Sequence, residues 1–273
     1  MTQIEMPIPA LRGSVRLNAP CTPAALAGLD APLLGLADGD RPVLMPEDAG
    51  HVLVGTGSGG GTTTLLRTTA AQALARGAEV DVLDVGGSAH RWAAGLPRVT
   101  YLSRIGAVHQ RLLLAAASLK DGTRSWDGGW PARRVLLLEN VATLAYGLRQ
   151  HWLHTRPETQ LDEAPGVEAL ALLLAAGPEF GVQILAGNPR GDLPGIQPAP
   201  VSALFSTRVL ACGGTVLWKR VAPEIWVPPV CSATAGRMHV VADRAVTAFQ
   251  ALQLSDREAR ALASGIHALK DPA

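Results

Sequence analysis

The residues best placed to do chemistry begin at His51–Arg67, HVLVGTGSGGGTTTLLR. Five glycines fall between Gly55 and Gly61, and Thr62, Thr63 and Thr64 follow directly. Glycines let a loop curl until its backbone N–H groups face an anion, and the start of a following helix adds positive dipole. Gly57, Ser58, Gly59, Gly60 and Gly61 are therefore candidate phosphate ligands, with Thr62, Thr63 and Thr64 as hydroxyl partners for phosphate or metal. A nucleotide-binding loop of the form G-x-x-x-x-G-K-[ST] would add a lysine that neutralises the β- and γ-phosphates. Here Thr62 or Gly61 occupies that place, depending on register. The backbone cradle survives this change, but the charge that stabilises a transferring phosphoryl group does not.

A second candidate is Arg134–Asn140, RVLLLEN, an apolar strand ending in an acid. Glu139 can hold Mg²⁺ directly or through water. The next position would suit a base that aligns an attacking water, but it is Asn140, and an amide accepts no proton at neutral pH. Val182–Arg190, VQILAGNPR, ends its strand at Asn188, a polar residue able to sense a γ-phosphate. Arg208 could reach a neighbouring subunit's nucleotide as an arginine finger, or simply make a surface ion pair. His151 and His154 are three apart on a helix, a spacing that can chelate a metal, but no third ligand is clearly placed beside them.

These residues need a frame. His51–Val54 reads as a buried strand, followed by the loop and an alanine- and leucine-rich helix to about Arg76. Further strands are expected at Arg41–Met45, Glu79–Asp84, Arg98–Leu102, Arg134–Leu138, Val182–Ala186, Thr207–Ala211 and Arg237–Val241, with an edge strand at Ala245–Ala251. Helices are expected at Ser88–Gly95, Ile105–Leu119, Val141–Leu153, Val167–Ala176 and Asp256–His267. Alternating strands and helices predict an α/β domain of three layers with a mostly parallel sheet. Residues 1–40 read as an irregular N-terminal arm and 41–273 as one domain.

The composition excludes several classes. A chain of 273 residues that is 48% hydrophobic and 17% charged can bury a large core and is not a disordered chain. Its net charge of +1 advertises no general affinity for nucleic acid, so any DNA contact would need a local patch. Cys21, Cys212 and Cys231 are widely spaced, which points to reduced thiols in a cytoplasmic protein. The N-terminus lacks a signal-peptide pattern, and Val167–Ala176 is too short to span a membrane.

HVLVGTGSGGGTTTLLRTTAAQALARGAEVDVLDV and the following SAHRWAAGLPRVTYL resemble the FtsK/SpoIIIE-type translocases of the FtsK/HerA group, in their actinobacterial plasmid-transfer and mobile-element branch. RRVLLLENVATL, VQILAGNPR and VLWKRVAPEIWVPPVCSATAGRMHVV extend the resemblance over roughly residues 41–262. It implies a RecA-like core, Mg-ATP bound between subunits of a ring, and movement along double-stranded DNA. Carried over by position, Gly57–Gly61 form the phosphate loop and Thr63 is the metal-binding hydroxyl. Thr62 stands at the lysine position, Glu139 at the Mg-coordinating acid, Asn140 at the catalytic acid, Asn188 at the sensor and Arg208 at the trans-acting arginine. Gly86-Gly87 replaces a basic residue expected after the Asp84 strand. These departures imply degenerate Walker motifs and a pseudo-ATPase acting with FtsK-like subunits. An active translocase, or an interaction module that has lost nucleotide, are the alternatives.

Overall fold

The computed structural model describes residues 11–18, 21–46, 50–57, 59–119 with the helical backbone of 120–121, 134–157, 163–191, 193, 196, 200–211, 214–230, 232 and 234–265. Among the described residues ten strands form a single sheet: β1 (Leu33–Leu36), β2 (Pro42–Leu44), β3 (Val52–Gly55), β4 (Glu79–Leu83), β5 (Val99–Leu102), β6 (Arg134–Leu138), β7 (Val182–Gly187), β8 (Thr207–Leu210), β9 (Arg237–Ala242) and β10 (Ala245–Ala251). Their order is β2-β1-β10-β9-β8-β3-β7-β6-β4-β5. The six strands from β8 to β5 run parallel, and the remaining four extend the sheet antiparallel from β8.

Buried parallel strands need apolar side chains on both faces, which is why β3 and β6 read as unbroken hydrophobic runs. Val52 and Val54 of β3 point to one core with Val135 and Leu137 of β6. Leu53, Leu136 and Leu138 point to the other. The first core is covered by α1 (Pro23–Ala27), α2 (Thr62–Ala75) and α8 (Asp256–Ala263). The second lies under α3 (Ile105–Asp121), α4 (Val141–Thr155), α5 (Pro165–Ala176), α6 (Val201–Leu204) and α7 (Thr215–Val221). Helix starts follow local chemistry. Asn140 caps α4, Pro165 occupies the first turn of α5, and Ser255 with Glu258 forms a capping box on α8.

The expected three-layer α/β fold is present, with three local differences. The described residues of the expected N-terminal arm carry α1 and β1, and Leu26 and Leu34 are buried in the core. β10 is not an edge, because β1 pairs with it on the side away from β9. Ser88–Gly95, expected as a helix, contains only the short 3-10 turn Arg91–Ala93.

Candidate functional site

β3 ends in the middle of the sheet, between β7 and β8, so its loop opens where several parallel strands finish. Brackets of this kind are where α/β sheets hold ligands. Gly57, Gly59 and Gly61 adopt φ of +70°, +73° and +99°, conformations that only glycine takes without strain. Gly61 is the N-cap of α2 and no side chain caps that end, which leaves the first-turn N–H groups to an anion. Ser58 lies outside the described residues.

Two of the threonines that follow the loop turn in different directions. Thr63 Oγ1 donates a hydrogen bond to Glu139 Oε1 across 76 residues of chain, so Thr63 is the hydroxyl that meets the acid. Thr62, one residue earlier, turns back instead, and its Oγ1 lies 2.5 Å from Thr56 Oγ1. At the expected lysine position, therefore, a pair of hydroxyls closes the root of the loop. Gly187 makes this corner possible: a Cβ there would lie 2.1 Å from the Glu139 carbonyl oxygen and 2.8 Å from Thr62 Cγ2.

Thr63 and Glu139 are hard oxygen donors meeting at the mouth of the loop, the donor type Mg²⁺ takes. Among the described residues no group of three or more His, Cys, Asp or Glu could hold a metal. His151 and His154 do not converge. His151 meets His109 edge-on at 5.3 Å between ring centroids, while His154 Nδ1 lies 2.6 Å from the Gln150 carbonyl oxygen.

Two side chains absent from the sequence reading complete the corner. His90, fully buried, places Nε2 2.7 Å from Glu139 Oε2. Its backbone N–H donates to Asp84 Oδ2 at 3.0 Å, and the Tyr101 hydroxyl donates to the same oxygen at 2.9 Å. Burial, then the hydrogen bond to Asp84 and its charge, push the Tyr101 phenol up to about 12, so it stays a donor. The only signal for His90 was a lone histidine among glycine, serine and alanine, which spacing could not connect to Glu139.

The remaining candidates are engaged elsewhere. Asn140 Oδ1 accepts from Thr143 N–H at 3.0 Å as the cap of α4. Asn188 is fully buried, and its Oδ1 accepts from Arg190 N–H and Gly191 N–H at 3.2 and 3.0 Å. Both asparagines line a cleft of about 360 Å³ with Thr143, Tyr146 and Arg190. Arg208 is 5% exposed and bonds Glu224 of its own chain at 2.5 Å, so it is not presented to a neighbour as a finger would be. On the other side of the loop, Gly59, Gly61 and Thr64 border a cleft of about 310 Å³ closed by Gly236, Met238 and Gln253.

No protein-family model matches the sequence, and no curated protein matches it. Solved structures do share the fold. The pCW3 conjugation coupling protein TcpA, in its monomer form with ATPγS, superposes with a TM-score of 0.60 at 14% identity, over 90% of this chain and 72% of that one. The cytoplasmic domain of the Thermomonospora curvata type VII secretion ATPase EccC gives 0.64 at 16% identity, over 90% of this chain and 28% of that one. EssC (ATPases 2 and 3) from Geobacillus thermodenitrificans gives 0.61 at 16% identity, over 97% of this chain and 54% of that one. This chain thus spans between about a quarter and three quarters of those proteins. Its fold is the RecA-like α/β core that the resemblance to FtsK/SpoIIIE-type translocases implied.

Proposed function

We propose that this chain is an FtsK/SpoIIIE-like magnesium-nucleotide-binding domain with impaired hydrolysis, a pseudo-ATPase. It would act in the cytoplasm with related subunits in a DNA-transfer or mobile-element assembly. The observation that carries this reading is the Thr63–Glu139 bond at the mouth of a glycine loop whose lysine position is tied up as a Thr62–Thr56 hydroxyl pair. The binding parts are supported: a loop and helix end that offer N–H groups to phosphate, and oxygen donors for Mg²⁺. Bound Mg²⁺ would neutralise charge between the β- and γ-phosphates. The cleft beside Gly59, Gly61 and Thr64 would take the base and ribose.

Two positions support the reading of impaired hydrolysis. Without the lysine, the loop loses a preorganised cation, an effect comparable to losing one transition-state donor, about 3 kcal/mol. Asn140 cannot take a proton, and its oxygen is committed to Thr143. Among the described residues no helix is long and apolar enough to cross a membrane.

The test is a thermal-shift titration with ATP, ADP and a non-hydrolysable analogue, with and without Mg²⁺, followed by phosphate release with double-stranded DNA. A ligand that binds only the folded state raises the melting temperature. The expected result is a Mg²⁺-dependent rise with negligible turnover, also in Thr62→Lys, because Asn140 remains. DNA-stimulated phosphate release by the wild type would instead establish an active translocase. No shift at millimolar nucleotide would leave an interaction module.

A further inference from the structure

We propose that His90 is a positioning residue for Glu139: a neutral imidazole, held in one tautomer by Trp92, that fixes the carboxylate in the orientation Mg²⁺ requires. The inference rests on the magnesium-nucleotide reading above.

A histidine 2.7 Å from a carboxylate can be a charged partner or a neutral donor, and Trp92 decides between them. The indole N–H can only donate, and it lies 3.3 Å from His90 Nδ1. Nδ1 must therefore offer its lone pair, which puts the imidazole proton on Nε2 and directs it to Glu139 Oε2. Thr63 donates to the other oxygen, so each carboxylate oxygen receives one uncharged donor. Both rotation of the carboxylate and its plane are set, and neither donor competes with a cation for it.

The imidazole is itself held from three directions. Its backbone N–H is bound to Asp84 at the end of β4, and Asp84 is bound in turn by Tyr101 of β5. From α8, Arg260 Nη1 donates to the carbonyls of Trp92 and Ala94 at 2.8 and 2.9 Å, pinning the turn that carries the indole. Side chains that orient a metal-binding group are worth about 10–100-fold in metal affinity when removed.

The experiment titrates Mg²⁺ against a non-hydrolysable ATP analogue on the full chain, reading the Mg²⁺ midpoint and, separately, analogue binding without Mg²⁺. His90→Ala is expected to raise the midpoint roughly 10–100-fold while Mg²⁺-free binding stays unchanged. His90→Gln, which keeps a donor, is expected to recover most of that loss. Trp92→Phe keeps an aromatic ring, a smaller one without the N–H, releases the tautomer and is expected to raise the midpoint by a smaller factor. It covers the case in which His90→Ala fails to fold. An unchanged midpoint in folded His90→Ala or Trp92→Phe overturns the proposal. So does a loss that is equal with and without Mg²⁺ and not recovered by glutamine. Failure of the wild type to bind the analogue at all would overturn the underlying reading, and is seen before any variant is compared.

Discussion

Two corners at the carboxyl ends of the parallel strands use similar residues in different ways. At the mouth of the loop after β3, Thr63, Glu139 and His90 are joined side chain to side chain around one opening. Beyond β6 and β7, Asn140 and Asn188 turn their oxygens onto the backbone of their own following residues, and Arg208 of β8 is closed onto Glu224. Glu139 and Asn140 are adjacent in the chain and fall on opposite sides of this divide. A polar residue at a strand end thus marks a ligand site when its partners are distant side chains facing the same space. When its partners are the next few N–H groups, it is ending a strand or starting a helix.

The sharpest way to break the comparison is Arg208→Ala. If the guanidinium serves the fold, its loss strands Glu224 and costs about 3 kcal/mol, the low end for a broken buried pair because Glu224 is 21% exposed. Urea unfolding reads this, and an unchanged midpoint would return Arg208 to the list of groups free to reach a ligand.

A comparable effect comes from His51, at the root of the strand that carries the loop. Ile184 N–H donates to its Nδ1, Nε2 lies 2.9 Å from the Leu173 carbonyl oxygen, and burial lowers its pKa to about 4. The unfolded chain, with an ordinary histidine near 6.5, binds the proton first, so stability is full above about pH 6.5 and falls as pH drops towards 4. The loss is about 3 kcal/mol. His51→Gln should flatten the pH dependence of the melting temperature across that window, and an unchanged slope would contradict the assignment.

Gly187→Ala tests the wall between the corners. A methyl group 2.1 Å from the Glu139 carbonyl must push β6 from β7, at about 2 kcal/mol, and should weaken Mg²⁺-dependent nucleotide binding as well. Stability and binding changing together would confirm that Glu139 is held from behind. The smallest effect expected is from Asn140→Ala, about 1 kcal/mol through loss of the α4 cap, with nucleotide affinity unchanged. A selective loss of affinity there would move Asn140 into the first corner.

The parallel half of the sheet was legible because its signals are local. β3, β4, β6, β7 and α2 are apolar runs punctuated by glycine or polar residues, and their bounds lie within a residue or two of expectation. β1 was not legible. Leu33–Leu36 is four residues without alternation, and it becomes a strand between two partners, β2 on one side and β10 on the other, the latter through Gly35 with Ala251 and Leu36 with Gln250. Nothing near it in sequence announces a partner more than two hundred positions away, and the same missing partner made β10 look like an edge. In the site, chemistry-bearing types were legible at Thr63 and Glu139, but direction was not. Asn188 and Arg208 stand where the sequence put them, and only the side-chain partners reveal what they do.

The strand order has a consequence for assembly. Among the described residues the sheet ends at β2, three residues beginning with a proline that offers no N–H, and at β5, four residues long. Short edges, and one that opens with proline, are poor templates for adding another chain's strand. Subunits of the proposed assembly would therefore meet through helices and loops, leaving each sheet closed within its own chain. Amide exchange at β2 and β5 should then be the same in free and assembled protein, with new protection confined to the surfaces around the strand ends.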